Sequence, residues 1–137
     1  MEQRRLRIGV IGANGGLDRW GARAHLPAVQ ALEEARLVAV CTARRETAQN
    51  AQQRTGAELA FWDYREIVKS PEVDLVTVAV RIPMHQAIVL AALEAGKHVF
   101  CEKMMAYSID EARHMARVAR QTGKKLQIGH QRRNDPN

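Results

Sequence analysis

Short runs of apolar residues recur along the chain, and longer segments with helical spacing of apolar positions separate them. The runs are rich in Val, Ile and Leu and are apolar throughout, as strands that are covered on both faces must be. They predict strands at residues 7–11, 37–41, 58–61, 74–80, 98–101 and 126–129, of which the third is the weakest. The segments between them predict helices near residues 20–34, 45–54, 83–95 and 109–122, and a short helix that starts at Asp63.

Helix start and stop signals support this division. Ser108 followed by Glu111 is a capping-box pattern that opens the last helix, and Gly123 stands where a left-handed residue ends it. Asp63 gives a similar start signal for the short helix, and Gly96 ends the helix before the fifth strand.

Six predicted strands alternate with five predicted helices. This order predicts an α/β fold with a Rossmann-type doubly wound parallel sheet and helices on both faces. A chain of 137 residues is about the size of one domain. We expect residues 1–130 to form this domain. Residues 131–137 are polar and are expected to be a tail or the start of a linker.

Composition and charge exclude several classes. A hydrophobic content of 46% with 26% charged residues is ordinary for a globular protein and excludes a disordered or collagen-like chain. The net charge of +6 could indicate a basic nucleic-acid binder, whose affinity would fall steeply with salt. Half of that charge lies at the two ends, however, and aromatic residues are only 4% of the chain. We therefore expect no nucleic-acid partner.

The two cysteines, Cys41 and Cys101, lie far apart and lack the spacing of metal ligands, so we expect reduced, buried thiols and no metal site. No apolar stretch approaches the roughly 20 residues of a membrane-spanning helix. The first residues do not resemble a signal peptide either. The sequence therefore predicts a cytoplasmic protein without a membrane partner.

In a doubly wound sheet, ligands bind beyond the carboxyl ends of the strands, near the point where the strand order reverses. The first strand is followed by the run Gly12, Ala13, Asn14, Gly15 and Gly16. A loop with few β-carbons lets backbone N–H groups approach a diphosphate. Asn14 stands where the usual fingerprint has its second glycine, and the run could instead be a simple turn.

The turn after the second strand contains Thr42, Arg44 and Arg45 and has no carboxylate to hold the ribose hydroxyls of NAD. A hydroxyl with two guanidinium groups suits a 2′-phosphate, which arginine binds through two hydrogen bonds. The turn therefore favours NADP over NAD as cofactor. The alternative is a helix start with solvated arginines.

The turns after the fourth and fifth strands contain Val80, Arg81 and His85, and then Glu102 and Lys103. A lysine at the carboxyl end of a strand could exchange a proton with a substrate hydroxyl, although an isolated lysine is usually solvated surface. His85 could equally cap its helix or pack in the core.

The run ALEAGKHVFCEK at residues 92–103 resembles the fifth-strand signature of the Gfo/Idh/MocA family of NAD(P)-dependent oxidoreductases. The similarity extends over nearly the whole chain, through HLPA at 25–28, Asp63 with Tyr64, Asp74, His85 and GHQRR at 129–133. The resemblance implies the nucleotide-binding half of such an enzyme. Family members carry a second α+β domain with substrate contacts, a catalytic histidine and the oligomer interface.

The resemblance also implies roles for individual residues. Lys103 corresponds to the lysine of the family's Glu-Lys-Pro motif, which acts in proton transfer or orientation beside the nicotinamide. Glu102 would contact the nicotinamide end of the cofactor, and the loop around Arg81 and His85 would line its ribose and diphosphate. The substrate would be a sugar-like or cyclitol-like alcohol. A homo-oligomer is expected only for a full-length form, of which this chain would be a truncation with little turnover of its own.

Three departures from the family pattern matter. Met104 replaces the proline of the motif, and residues 80–82 read VRI where the family has Thr-Pro-Asn. The glycine loop is longer, with Trp20 and Gly21 before the next helix, as in the galactose-regulator branch of the family. That branch lacks the lysine that is retained here as Lys103. A non-catalytic dinucleotide-sensing module is therefore the alternative to the oxidoreductase.

Overall fold

The six predicted strands form a single parallel sheet. The computed structural model describes residues 4–15 and 19–131. The strand order is β3-β2-β1-β4-β5-β6, with every neighbouring pair parallel, which confirms the Rossmann-type prediction. The strands are β1 Leu6–Ile11, β2 Ala35–Cys41, β3 Leu59–Phe61, β4 Leu75–Val78, β5 His98–Glu102 and β6 Leu126–Gly129.

Helices connect successive strands in the described residues. They are α1 Leu26–Ala31, α2 Arg45–Thr55, α3 Tyr64–Lys69, α4 His85–Glu94 and α5 Ile109–Thr122. A π-helical turn, Gly21–His25, leads into α1, and a 3-10 turn, Ile82–Met84, leads into α4.

Apolar clusters cover both faces of the sheet. On one face Val76 and Val99 are buried among side chains from α3, α4 and α5, including Met115. On the other face Val10 is buried against residues of α1 and α2, including Leu26. β1, β2 and β4 are buried at nearly every position after their first residues, as the apolar runs that predicted them require, whereas alternate residues of β5 are only partly buried.

The predicted helix caps are present. The Ser108 hydroxyl accepts a hydrogen bond from the Glu111 amide at 3.2 Å, and the Glu111 carboxylate accepts one from the Tyr107 amide at 2.9 Å. The Asp63 carboxylate caps α3 by accepting from the Arg65 amide at 2.8 Å. Gly123 has φ +67° at the end of α5. These local signals therefore predicted where the helices begin and end.

Two predicted elements are shorter in the structure. The helix predicted at 20–34 is replaced by the π-helical turn and α1, which ends at Ala31 because Leu32 is extended. The strand predicted at 74–80 ends at Val78. The Ala79 amide makes a last bond to the carbonyl oxygen of Ile11, and beyond it the Val80 carbonyl turns to accept from a side chain.

Charged groups fix the edge of the sheet where the strands begin. Asp74 accepts from the Arg7 amide and from both Nε and Nη2 of that guanidinium, at 2.8–3.0 Å. The hydrogen bonds from Arg7 hold the pKa of Asp74 at about 2, below its usual 3.8. The buried Lys97 ammonium donates to the carbonyl oxygens of Ser70 and Val73 at 2.7 Å each, and burial lowers its pKa. None of the helices in the described residues is long and apolar enough to cross a membrane.

Candidate functional site

The loops that follow β1, β2, β4 and β5 meet along one edge of the sheet, because the strands are parallel. The strand order reverses between β1 and β4, where this class of fold binds its ligands. The predicted site residues lie on these loops or at the start of the helix that follows. They are Gly12, Ala13, Asn14, Gly15, Thr42, Arg44, Arg45, Val80, Arg81, His85, Glu102 and Lys103. Gly16 lies outside the described residues.

The turn after β1 packs too closely for side chains. Gly12 has φ +96°, and a β-carbon there would lie 2.2 Å from the carbonyl oxygen of Ala79 beyond β4. A β-carbon on Gly21 would lie 2.2 Å from the carbonyl oxygen of Gly12. Gly21 therefore gives the close approach of helix and strand that the fingerprint assigns to its third glycine. The sequence signal was present, but the long loop before Gly21 concealed it.

The amides at the start of this loop are not free for a ligand. Those of Gly12 and Ala13 both donate to the carbonyl oxygen of Cys41, at 2.9 and 3.2 Å, and the Ala13 side chain is buried. The prediction that these two amides meet a diphosphate is therefore corrected. They join the turn to the end of β2.

The next two amides are available. Those of Asn14 and Gly15 donate to no acceptor among residues 4–15 and 19–131, and Gly15 is exposed. The Arg54 guanidinium from the end of α2 lies beside them, and its Nη2 donates to the carbonyl oxygen of Ala13 at 3.1 Å. A β-carbon on Gly15 would lie 2.5 Å from Arg54 Nη1. Unpaired N–H groups beside a cation can bind an anion. No local pattern in the sequence pointed to Arg54.

Thr42 fixes the turn after β2. Its side chain is buried, and its hydroxyl lies 2.9 Å from the Arg44 carbonyl oxygen and 2.6 Å from the Thr47 hydroxyl. The hydroxyl is occupied by this network, so the prediction that Thr42 itself binds a phosphate is corrected to a structural role in the turn.

The two arginines of this turn are exposed. Arg45 lies over the indole ring of Trp62, with 5.3 Å between its guanidinium carbon and the ring centroid. Trp62 follows β3 and has 44% of its surface exposed. Stacking on an aromatic ring limits the orientations of a guanidinium while its edge can still donate hydrogen bonds. Trp62 was not among the residues predicted for the site, although its position after a strand was a signal.

Val80 and His85 face each other across the turn after β4, while Arg81 is exposed. His85 is fully buried, with Nε2 3.0 Å from the Val80 carbonyl oxygen and Nδ1 2.8 Å from the Met104 carbonyl oxygen. Because its ring has no exposed surface, the predicted contact between the His85 side chain and a cofactor is corrected. The alternative of a packing histidine describes its position.

The Glu102 carboxylate at the end of β5 is held by two residues from before α1. Its Oε1 lies 2.7 Å from His25 Nε2 and accepts from Trp20 Nε1 at 2.8 Å. The Glu102 and His25 side chains are 12% and 6% exposed. The contact between His25 and Glu102 was not predicted, because 77 residues separate them and no local sequence pattern connects them.

Lys103, the predicted catalytic residue, is exposed at the carboxyl end of β5. Its ammonium group contacts no acceptor in the part of the chain that the structure describes. The Lys103–Met104 peptide bond is cis, and the Met104 side chain is 61% exposed. A lysine in this position can reach a ligand that binds along the edge of the sheet.

The cysteines are free and buried, as predicted. Burial, with the nearby carboxylates of Asp63 and Glu66, raises the pKa of Cys41 to about 12. Burial and the Glu102 carboxylate raise the pKa of Cys101 to about 12. A protonated thiol is a poor nucleophile and metal ligand. Within residues 4–15 and 19–131, no three His, Cys, Asp or Glu side chains form a group that could hold a metal ion.

The family of this chain follows from comparison of its sequence with known protein families. The model of an oxidoreductase family with an NAD-binding Rossmann fold matches residues 6–130. The chain belongs to the Gfo/Idh/MocA oxidoreductase family. It contains the NAD(P)-binding Rossmann domain of that family, as the fifth-strand signature predicted.

Relatives of this Gfo/Idh/MocA chain include characterised dehydrogenases. Myo-inositol 2-dehydrogenase of Thermotoga maritima is 32% identical over 132 residues, which is 96% of this chain and 38% of the relative. The structure of scyllo-inositol dehydrogenase from Lactobacillus casei with NAD(H) and scyllo-inositol has a TM-score of 0.85 at 29% identity, over 97% of this chain and 38% of that one. A 3-ketoreductase from Actinomadura kijaniata in complex with NADP and TDP-benzene has a TM-score of 0.83 at 30% identity, over 92% of this chain and 37% of that one. The chain thus spans less than two fifths of these relatives.

Proposed function

We propose that the chain binds a nicotinamide dinucleotide for an oxidoreductase that transfers hydride between the cofactor and a sugar-like or cyclitol-like alcohol. Exposed Lys103, at the end of β5 beside the point of strand reversal, is the observation that carries this proposal. In this proposal residues 1–130 bind the nucleotide, and 131–137 lead toward a substrate domain. The substrates named for the relatives support the class of alcohol. A homo-oligomer is proposed only for a full-length form.

The residues present fit such a cofactor. Gly12 and Gly21 keep the turn after β1 free of side chains, and the amides of Asn14 and Gly15 are unpaired among the described residues. Together with Arg54 they would hold the diphosphate, whose charge matches theirs. Val80 and Arg81 would line the cofactor between the diphosphate and the nicotinamide.

When bound, the nicotinamide supplies the hydride chemistry. This chain supplies position and a proton. Glu102 and Lys103 lie at the end of β5, where the nicotinamide end would bind, and the free Lys103 ammonium would orient the substrate hydroxyl or exchange its proton. Retention of Lys103 favours the enzyme over the dinucleotide-sensing alternative, whose branch lacks it.

Arg44 and Arg45 support NADP as the preferred cofactor. Both are exposed after β2, and the turn 42–45 contains no carboxylate. Arg45 is already oriented by Trp62, so little conformational freedom would be lost when it binds a 2′-phosphate.

Paired calorimetric titrations with NADPH and NADH test the cofactor proposal. We expect NADPH to bind about tenfold more tightly, and Arg44→Ala and Arg45→Ala each to remove most of that difference while NADH affinity stays unchanged. Arg36→Ala is the charge-matched control, because Arg36 lies near the start of β2 and pairs with Glu58. Equal or tighter NADH binding would contradict the preference for NADP. Absence of binding by either dinucleotide would contradict the proposed function as a whole.

Turnover separates the enzyme from the sensor. The assay uses the full-length protein. Reduction of NADP⁺ or NAD⁺ by cyclitols and sugars is followed by the absorbance of the reduced nicotinamide. Lys103→Ala is expected to lower kcat by at least about a hundredfold and leave dinucleotide affinity within about twofold. If the unaltered protein and Lys103→Ala both bind the dinucleotide without turnover and both keep a partner interaction, the result would instead support the sensor.

A further inference from the structure

Lys103 lies between two residues that buried histidines hold in place. Before it, the Glu102 carboxylate is bonded to His25, whose Nε2 lies 2.7 Å from Oε1. After it, the Met104 carbonyl oxygen lies 2.8 Å from Nδ1 of His85. The main chain on both sides of Lys103 is therefore fixed from two different helical segments.

The contact between His25 and Glu102 is built into the packing. The His25 ring packs edge-on against Phe100, with 5.5 Å between the ring centroids, so its orientation is set. Gly129 on β6 leaves space for the carboxylate, since a β-carbon there would lie 3.1 Å from Glu102 Oε1. Trp20 donates to the same oxygen atom from the end of the glycine loop.

His85 connects two of the site loops. Its Nε2 lies 3.0 Å from the Val80 carbonyl oxygen after β4, and its Nδ1 contacts the segment after β5. Both partners are carbonyl groups, which only accept hydrogen bonds, so a ring nitrogen that carries hydrogen donates to its partner. The ring thereby ties the position of residues 103 and 104 to the turn at residue 80.

We infer that His25 and His85 are positioning residues that hold Glu102 and Lys103 at the nicotinamide end of the bound cofactor. This inference rests on the proposed function. The Lys103 side chain contacts no acceptor among the described residues, so its place depends on the main chain from 102 to 104. Neither histidine needs to touch the cofactor, since the side chains are 6% exposed for His25 and fully buried for His85.

The test compares a whole dinucleotide with a fragment that lacks the nicotinamide. The better bound of NADH and NADPH is titrated calorimetrically beside the matching ADP-ribose, with or without the 2′-phosphate. His25→Phe keeps a ring against Phe100 and removes the hydrogen bond to Glu102. We expect it to weaken dinucleotide binding about tenfold, because the Glu102 carboxylate is no longer held at the nicotinamide end, and to leave the fragment within twofold. His25→Gln, whose amide can replace Nε2, is expected to restore affinity to within about threefold.

His85 offers a matched pair of variants. The amide nitrogen of Asn lies roughly where Nδ1 does and that of Gln roughly where Nε2 does, so His85→Asn keeps the bond to Met104 and His85→Gln keeps the bond to Val80. Each variant keeps only one of the two contacts of His85, and we expect their stabilities to be comparable. We expect His85→Asn to bind the dinucleotide several-fold more tightly than His85→Gln, with no such difference for the fragment.

If His25→Phe does not fold, Glu102→Met gives the same comparison, because it removes the acceptor of the hydrogen bond with a side chain of similar size. In folded variants we expect the effects of His25→Phe and Glu102→Met on dinucleotide affinity to be non-additive, because both remove the hydrogen bond between His25 and Glu102. Equal weakening for dinucleotide and fragment, or no weakening for either, would overturn the inference while the proposed function stands. Failure of the unaltered chain to bind any of these ligands would refute both.

Discussion

A β-carbon on Gly21 would lie 2.2 Å from the carbonyl oxygen of Gly12, so the π-helical turn and the turn after β1 are in direct backbone contact. The contacting atom belongs to the main chain and cannot move away as a flexible side chain would. The first residue of the turn after β1 is therefore fixed by a residue outside the turn itself.

Gly21→Ala should destabilise the fold by about 1–3 kcal/mol, because the added methyl group forces the two backbone segments apart. Urea unfolding followed by circular dichroism measures the change. Gly56→Ala is the control: a β-carbon at Gly56 meets no atom within 4 Å, although its φ of +72° costs roughly 1 kcal/mol. Gly21 and Gly56 variants of equal stability, with unchanged dinucleotide affinity, would show that the contact is unimportant.

Asp74→Asn should remove the main ion pair at the opposite edge of the sheet. The pKa of Asp74 is lowered from 3.8 to about 2 by Arg7, so its contribution is complete above pH 4 and is lost as the pH falls toward 2. After allowance for solvent screening, stability at pH 7 should fall by about 1–2 kcal/mol. Glu72→Gln, at the exposed partner of Arg7, should change stability by less than about 0.5 kcal/mol.

The acid limb of the pH dependence distinguishes the two carboxylates. Unfolding free energy measured between pH 2 and pH 5 should rise with pH in the unaltered chain. That rise should be smaller in Asp74→Asn and unchanged in Glu72→Gln. Identical profiles for all three proteins would rule out the ion pair as a source of stability.

Cys41 and Cys101 should react with a thiol reagent at pH 8 only when the chain unfolds. Both are buried, and each pKa is raised from 9.0 to about 12. Labelling should be complete within minutes in denaturant and at least about a hundredfold slower in buffer. Because unfolded thiols ionise near pH 9, stability should fall as the pH rises above that value, and replacing both cysteines by Ala should reduce this fall. Rapid labelling of the folded chain would contradict the burial of either thiol.

Arg54→Ala should weaken dinucleotide binding about three- to tenfold, since it removes a cation beside the unpaired amides of Asn14 and Gly15. The loss should be larger at low salt than at high salt, because the effect is electrostatic. Gln53→Ala, at the adjacent exposed position of α2, is the control and should leave affinity unchanged. If Gln53→Ala weakens binding as much as Arg54→Ala does, the loss comes from a general change in α2 and not from the Arg54 charge.

Local sequence patterns were sufficient to predict most of the fold. Strands covered on both faces leave uninterrupted apolar runs, and the caps at Ser108, Asp63 and Gly123 mark where helices begin or end. The alternation of the two elements fixes the parallel sheet, and with it the edge where Arg45 and Lys103 lie. The helix before β2 was predicted wrongly: a π-helical turn that contacts Gly12 precedes α1, and no periodicity in the sequence indicates it.

The site was less predictable, because its chemistry depends on which groups are already occupied. The sequence indicated the right loops, but it could not show that the Thr42 hydroxyl and the Gly12 and Ala13 amides are used within the fold. Contacts such as that of His25 with Glu102 join residues 77 positions apart. Side-chain partners at that distance follow only from the packed structure.

The chain contains two tryptophans, and the fold places them at different ends of the site. Trp20 donates to the carboxylate beside Lys103, whereas Trp62 lies under the arginine that follows β2. Replacing either one by Phe leaves a single indole emitter, which in the proposed cofactor orientation would lie near the nicotinamide end in one variant and near the adenine end in the other. Stopped-flow traces of the two variants could thereby reveal which half of the dinucleotide docks first.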